Sequence, residues 1–307
     1  MSKNIIFQMQ SAVNYASEKG IGTDKHSDKC NGETGTYKIY SYASRKEMID
    51  FSWDFGRYIK DKFPKIRKVK DIDISHINTY LDSKKGISEN TMKLICSNLN
   101  KLELCVEKFF KVNVDWQTNR IVPKQDKANI RHVVFTDAQI EKIDKCVASK
   151  RDCFSKDGYL LARFFGLRSA SICKLQVQDV SLENRTLHIH NDKGGRNRDL
   201  RIPEEAIPYL KKMIEGKSNP TDRLVPLRPD SICAYLNRIC KSLNTNGEFD
   251  KILKGRTSIH CLRKYVATSM YKELVKTHPK KEAENLVCKF LGHGENRKDI
   301  IGRYIFI

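Results

Sequence analysis

Ala162-Arg163-Phe164-Phe165-Gly166-Leu167-Arg168 governs the reading of this chain. An apolar run ends in a glycine and a charge follows at once. Glycine after the last periodic residue stops a helix, because it enters the left-handed region at no steric cost. Ile172 and Leu175 then resume an apolar period, which places Arg168 at a buried turn between two helices. Arginine suits an anion there, since its planar fork binds two oxygens and keeps its charge. Taken singly, Arg168 is equally an ordinary surface arginine at a helix start.

Further along, Arg185 to His190 alternates as a strand, and Asp199 to Ile202 reads as its hairpin partner. The turn Asn191-Asp192-Lys193-Gly194-Gly195-Arg196-Asn197 puts Lys193 at the tip. A lysine there can enter a groove and protonate a leaving oxygen if its pKa is lowered locally; the same sequence is also simply a good turn. His260-Cys261-Leu262-Arg263 sets two polar groups at i and i+3 on one helix face, with Ile259, Leu262, Val266 and Met270 as core. Leu291-Gly292-His293-Gly294 ends an apolar helix in a glycine turn. A histidine there can donate to a phosphate, or merely cap the helix through its dipole. Tyr304 lies in Ile301-Gly302-Arg303-Tyr304-Ile305-Phe306-Ile307. A phenol, with a reference pKa of about 10, needs neighbouring positive charge to act as a nucleophile; a tail tyrosine packed on the core is the plain alternative. Together, Arg168, Lys193, His260, Arg263, His293 and Tyr304 suit a metal-free attack on a phosphodiester, with DNA as the substrate.

Composition agrees with that substrate. The chain has 307 residues, enough for two domains, and a formal charge of +20 from 57 basic and 37 acidic residues. Such an excess favours a polyanion, because each neutralised phosphate releases condensed counterions; a basic but inert surface is the other reading. The start, MSKNIIFQMQSAVNYASEKG, is interrupted by Gln8, Gln10 and Asn14 and is not expected to be a signal peptide. No stretch approaches the roughly 20 apolar residues of a spanning helix, so a cytoplasmic protein without a membrane partner is expected. The 10 cysteines form no Cys-x-x-Cys pair and read as reduced, mostly buried thiols rather than a zinc site. His188 and His190 share a strand face but lack an evident third ligand. No P-loop, Gly-x-Gly-x-x-Gly, His-Glu-x-x-His or Gly-x-Ser-x-Gly motif is present. No cofactor or metal is expected.

The expected organisation is a helical domain over 1–112, a linker over 113–133 and a mixed domain over 134–307. In the first, Ile5, Ile6, Met9, Val13 and Ala16 recur at helical spacing, 20–36 reads as a loop, and a helix from Ser44 ends before Pro64. The basic run Lys65-Ile66-Arg67-Lys68-Val69-Lys70 follows, either a solvated face or a phosphate contact. A short helix over 74–83 and a long one from the N-cap Ser88 to Phe110 complete it. In the second, Thr136-Asp137-Ala138-Gln139 is a capping box. Helices are predicted over 136–149, 155–166, 169–175, 204–215, 229–244, 259–276 and 280–291 around the hairpin. The fold class is mainly α with a small β-sheet.

Over residues 131–307 the chain resembles the catalytic domain of the tyrosine recombinases, the phage-integrase family that includes Xer-type enzymes. The resemblance is carried by Ala162 to Arg168, the Lys193 hairpin, His260-Cys261-Leu262-Arg263, Leu291-Gly292-His293 and Tyr304. The helical half resembles the family's core-binding domain only in size and helicity. The resemblance implies that Tyr304 attacks the DNA phosphate to form a 3′-phosphotyrosyl link, and that Arg168 and Arg263 clamp the non-bridging oxygens. Lys193 protonates the departing 5′ oxygen, His260 handles the tyrosine proton and His293 supports the phosphate. It further implies a tetramer clasping paired double-stranded DNA sites, with accessory DNA-bending proteins among the partners, as for an integrase or resolvase of a mobile element. A non-catalytic DNA-binding protein of the same fold and a type IB topoisomerase are the alternatives.

Three departures stand out. Many members carry an acid three positions after the first arginine, where this chain has Ser171. The interval from His293 to Tyr304 is slightly long for the family. The three residues after Tyr304 (307 − 304) lack the further helix that many members dock on a neighbour, so either the segment carrying Tyr304 is itself mobile or an earlier element docks instead. Little chain precedes the helical half, and a separate arm-binding domain is not expected.

Overall fold

The computed structural model describes residues 4–23, 25–32, 36–125, 133–192, 196–254 and 258–306. The chain divides into two compact units, Met1–Asn129 and Ile130–Ile307. No helix among the described residues is long and apolar enough to cross a membrane, and all ten cysteines are free thiols.

The first unit is helical: α1 (Ile5–Gly20), α2 (Lys25–Cys30), α3 (Tyr42–Lys62), α4 (Ile74–Ser83) and α5 (Glu89–Phe110). Helix α1 packs on α3 and α5 through Ile5, Met9, Ala12, Val13 and Ala16, all buried, as their spacing predicts. Ser41 and Ser88 cap α3 and α5 by accepting from the amides of Ser44 and Thr91. The basic run stays exposed at Lys65, Arg67, Lys68 and Lys70. It is pinned by Gln8, whose amide nitrogen donates to Arg67 O at 2.8 Å and whose oxygen accepts from Val69 N at 3.1 Å.

Two expectations fail in this unit. The stretch 20–36 is not all loop, since the glycine-free interval between Gly22 and Gly32 is long enough to wind α2. Residues 113–122, expected to begin the linker, pack into this unit. Trp116 is fully buried, its indole donates to Ile72 O at 3.0 Å and its amide to the buried Glu103 at 2.8 Å. Charged neighbours and Pro123 mask in sequence what one large aromatic decides in packing.

The second unit runs α6 (Asp137–Ala148), α7 (Phe154–Phe165), α8 (Ser169–Ile172), β1 (Val180–Ser181), β2 (Thr186–Asp192), β3 (Arg196–Arg201), α9 (Ile207–Ile214), α10 (Pro229–Leu243), α11 (Asp250–Lys254), α12 (Ser258–Leu274), α13 (Lys280–Phe290) and α14 (Lys298–Tyr304). The Thr136–Gln139 capping box is reciprocal, a start worth about 1 kcal/mol. Helix α7 packs on α10 and α12, and α12 also meets α13 and α14. The three strands form an antiparallel sheet in the order β1-β2-β3. Strand β3 begins at Arg196, earlier than its alternation predicts, because an irregularity between Ile189 and Asp192 re-registers the hairpin so that Asp192 faces Arg196. The α8 helix ends at Ile172, short of the predicted 175. Gln176 then bridges to Arg223 and takes the chain out of helix.

Candidate active site

The site is built where helices end. Gly166, at φ +57, terminates α7, and Arg168 becomes the N-cap residue of α8. Helix α13 closes in the same way, with Gly292 at φ +71. The amide of Gly292 donates to Lys289 O at 2.9 Å and that of His293 to Cys288 O at 2.8 Å, a Schellman closure. Arg263, on α12, is 1% exposed and fastens both ends. Its Nη1 donates to Gly166 O and its Nη2 to Leu291 O, the latter at 2.6 Å. Two carbonyls left orphaned by their helices thus receive a charged donor. Burial lowers the Arg263 pKa from its ordinary value to about 10; the Arg168 and Arg198 charges push the same way, and the Tyr304 phenol opposes them.

A second layer sits beside it. Arg168 Nη1 donates to Asp192 Oδ2 at 2.8 Å, and its Nη2 lies 3.3 Å from His293 Nε2. Facing a permanent cation, that ring nitrogen is the acceptor. Arg198 pairs with the same Asp192 oxygen, and Ser171 donates to the other at 2.9 Å. A Cβ on Gly292 would fall on the Arg198 guanidinium. Among the described residues, Arg198 Nε and Nη2 and Arg263 Nε are buried without a hydrogen-bond partner. Buried unpartnered cationic donors call for an anion.

Tyr304 ends α14. With Ile300, one turn earlier, it is buried among Ala267, Tyr271, Val287 and Leu291. The Arg263 guanidinium carbon lies 5.6 Å from its ring centroid. The ring centroids of His260 and His293 lie 5.3 and 6.0 Å away. Thr268 fixes the backbone here, donating to Tyr304 O at 3.1 Å and accepting from Phe306 N at 3.2 Å. The structure therefore gathers Arg168, His260, Arg263, His293 and Tyr304, while Lys193 lies outside the described residues. Asp192, Arg198, Ser171 and Thr268 join them without having been singled out as site residues. His188 and His190 lie apart from that group in pairing, each facing a carboxylate, Asp199 at 2.7 Å and Asp179 at 3.2 Å.

An oxyanion entering between the arginines would meet charge-assisted donors, with a phenol and two imidazoles alongside, the equipment for nucleophilic attack at phosphorus. The Phage integrase family profile matches residues 133–297, a span that ends seven residues before Tyr304 (304 − 297). The tyrosine recombinase XerA of Saccharolobus solfataricus is 27% identical over 221 residues, covering 68% of this chain and 67% of that protein. Among solved structures, the Tn1549 transposon integrase in complex with a circular intermediate DNA superposes with a TM-score of 0.60 at 14% identity, covering 99% of this chain and 96% of the other. The lambda integrase tetramer bound to a Holliday junction gives 0.58 at 16% identity, covering 95% and 78%. The matched profile takes in 165 of 307 residues (297 − 132); with the shared fold, this makes the chain a member of the phage integrase family, the tyrosine recombinases.

Proposed function

We propose that this chain is a site-specific recombinase that cuts and rejoins double-stranded DNA through a 3′-phosphotyrosyl intermediate. The observation that carries the reading is the surround of one phenol, with Arg263 at 5.6 Å and the rings of His260 and His293 at 5.3 and 6.0 Å. The Tyr304 oxygen bonds to phosphorus as the bond from phosphorus to the 5′ oxygen breaks. His260 takes the phenol proton and Lys193 gives one to the leaving oxygen. Arg168 and Arg263 hold the non-bridging oxygens while charge builds on them, and His293 supports the phosphate. A 5′ hydroxyl from a partner strand then reverses the step. One phosphoester bond replaces another each time, so rejoining needs no nucleotide cofactor.

The partners in this reading are paired recombination sites, three further copies of the chain and accessory DNA-bending proteins. The helical unit and its exposed basic run add contacts to the duplex. The protein acts in the cytoplasm, as the integrase or resolvase of a mobile element.

Covalent capture tests the assignment. Nicked duplexes of random sequence are incubated with protein, and SDS-resistant complexes are collected. Wild type is expected to trap DNA. Tyr304→Phe is expected to trap none, with gel retention of DNA changed by less than about threefold, under 1 kcal/mol. Trapping by Tyr304→Phe at the wild-type level refutes the reading.

A further inference from the structure

Three guanidiniums, Arg168, Arg198 and Arg263, converge at this site, and like charges in a dry setting repel strongly. Arg263 is held by main-chain carbonyls. Arg168 and Arg198 share the Asp192 carboxylate, whose side chain is 4% exposed. Both carboxylate oxygens are engaged, Oδ2 by the two arginines and Oδ1 by the Ser171 hydroxyl at 2.9 Å. The backbone of Asp192 closes β2, while its side chain reaches the start of α8, so a single carboxylate links the hairpin to the arginine turn.

We infer that Asp192 is a positioning residue for strand cutting. It orients Arg168 and Arg198 toward the phosphate and registers the hairpin, on which Lys193 follows it in sequence, against α8. The inference rests on the recombinase reading. It also accounts for Ser171. An acid at 171 would stand within hydrogen-bond distance of Asp192 and set two like charges together, whereas a hydroxyl completes the carboxylate's shell. The charge needed beside Arg168 thus comes from position 192, with position 171 as its donor.

This arrangement has a signature that a merely structural role lacks: the carboxylate can be moved across the 171–192 hydrogen bond. Duplexes recovered from the random pool by wild-type capture serve as probes, with single-turnover trapping, gel retention and melting measured together. Asp192→Asn is expected to slow trapping about 30-fold, as loss of a supporting carboxylate commonly does, while retention changes by less than about threefold. Ser171→Asp alone is also expected to slow it. The double variant Ser171→Asp/Asp192→Asn should trap at least about fivefold faster than either single variant, a recovery of about 1 kcal/mol over each where independent losses would multiply. Ser171→Ala keeps every charge, is expected to fold with a lowered melting temperature because one hydrogen bond to a buried carboxylate is lost, and should slow trapping severalfold; it carries the test if Asp192→Asn does not fold. Wild-type trapping rates in Asp192→Asn or Ser171→Ala overturn the inference, as does a double variant in which the two losses simply multiply. If wild type traps nothing, the recombinase reading falls and this inference with it.

Discussion

Arg263 shows how one side chain can be structural and chemical at once. Its terminal nitrogens each carry two hydrogens, so bonding Gly166 O and Leu291 O leaves donors over for an anion. A lysine has one nitrogen and cannot span both helix ends while doing so. Gly292 is as constrained. It sits at φ +71, and a Cβ would strike Arg198, whereas Gly216, at φ +77, has nothing within 4 Å. Gly292→Ala is therefore expected to lose about 1–3 kcal/mol from backbone strain plus the cost of moving Arg198, and Gly216→Ala the strain alone. Chemical denaturation of the two variants measures the difference. Equal losses would mean that Arg198 yields freely.

At the scale of elements, α14 completes the site by winding the tail so that Ile300 and Tyr304 fall on one buried stripe. Thr268 locks the end of that helix through two hydrogen bonds. Thr268→Val keeps the shape and removes both, so a loss of about 1–3 kcal/mol is expected, with faster amide exchange confined to 298–306 and slower trapping. Unchanged exchange there would show that the apolar stripe alone holds the helix. The elements legible in the sequence have a long apolar period or a clear cap. Thr136 and Ser88 mark their helices, and Gly166 and Gly292 end theirs. Of the site residues that the structure gathers, all but Tyr304 lie on such elements, at helix ends or on a helix face. What stayed hidden depends on pairing across space. Asp192 and Arg198 sit in a wholly polar run, and only the irregular β2–β3 register brings them together against Arg168. Helix α14, at seven residues including Gly302, is too short to show a period. Trp116 was hidden by the charges around it.

For the whole molecule, the +20 charge sets how DNA is held. Such a protein should owe most of its non-specific affinity to released counterions. Gel retention of a random duplex is expected to fall about a thousandfold between roughly 50 and 200 mM salt, as for six or more phosphate contacts. A flat dependence would mean that the positive surface is not the contact. Thr268 has a further bearing on assembly, because the tail it holds is moored within the chain that also bears the arginines. In the recombinase reading proposed above, each protomer would then carry nucleophile and clamp together. Mixing Tyr304→Phe protomers with Arg168→Gln protomers should leave trapping as low as in either parent, for no cell of such a mosaic owns a full set.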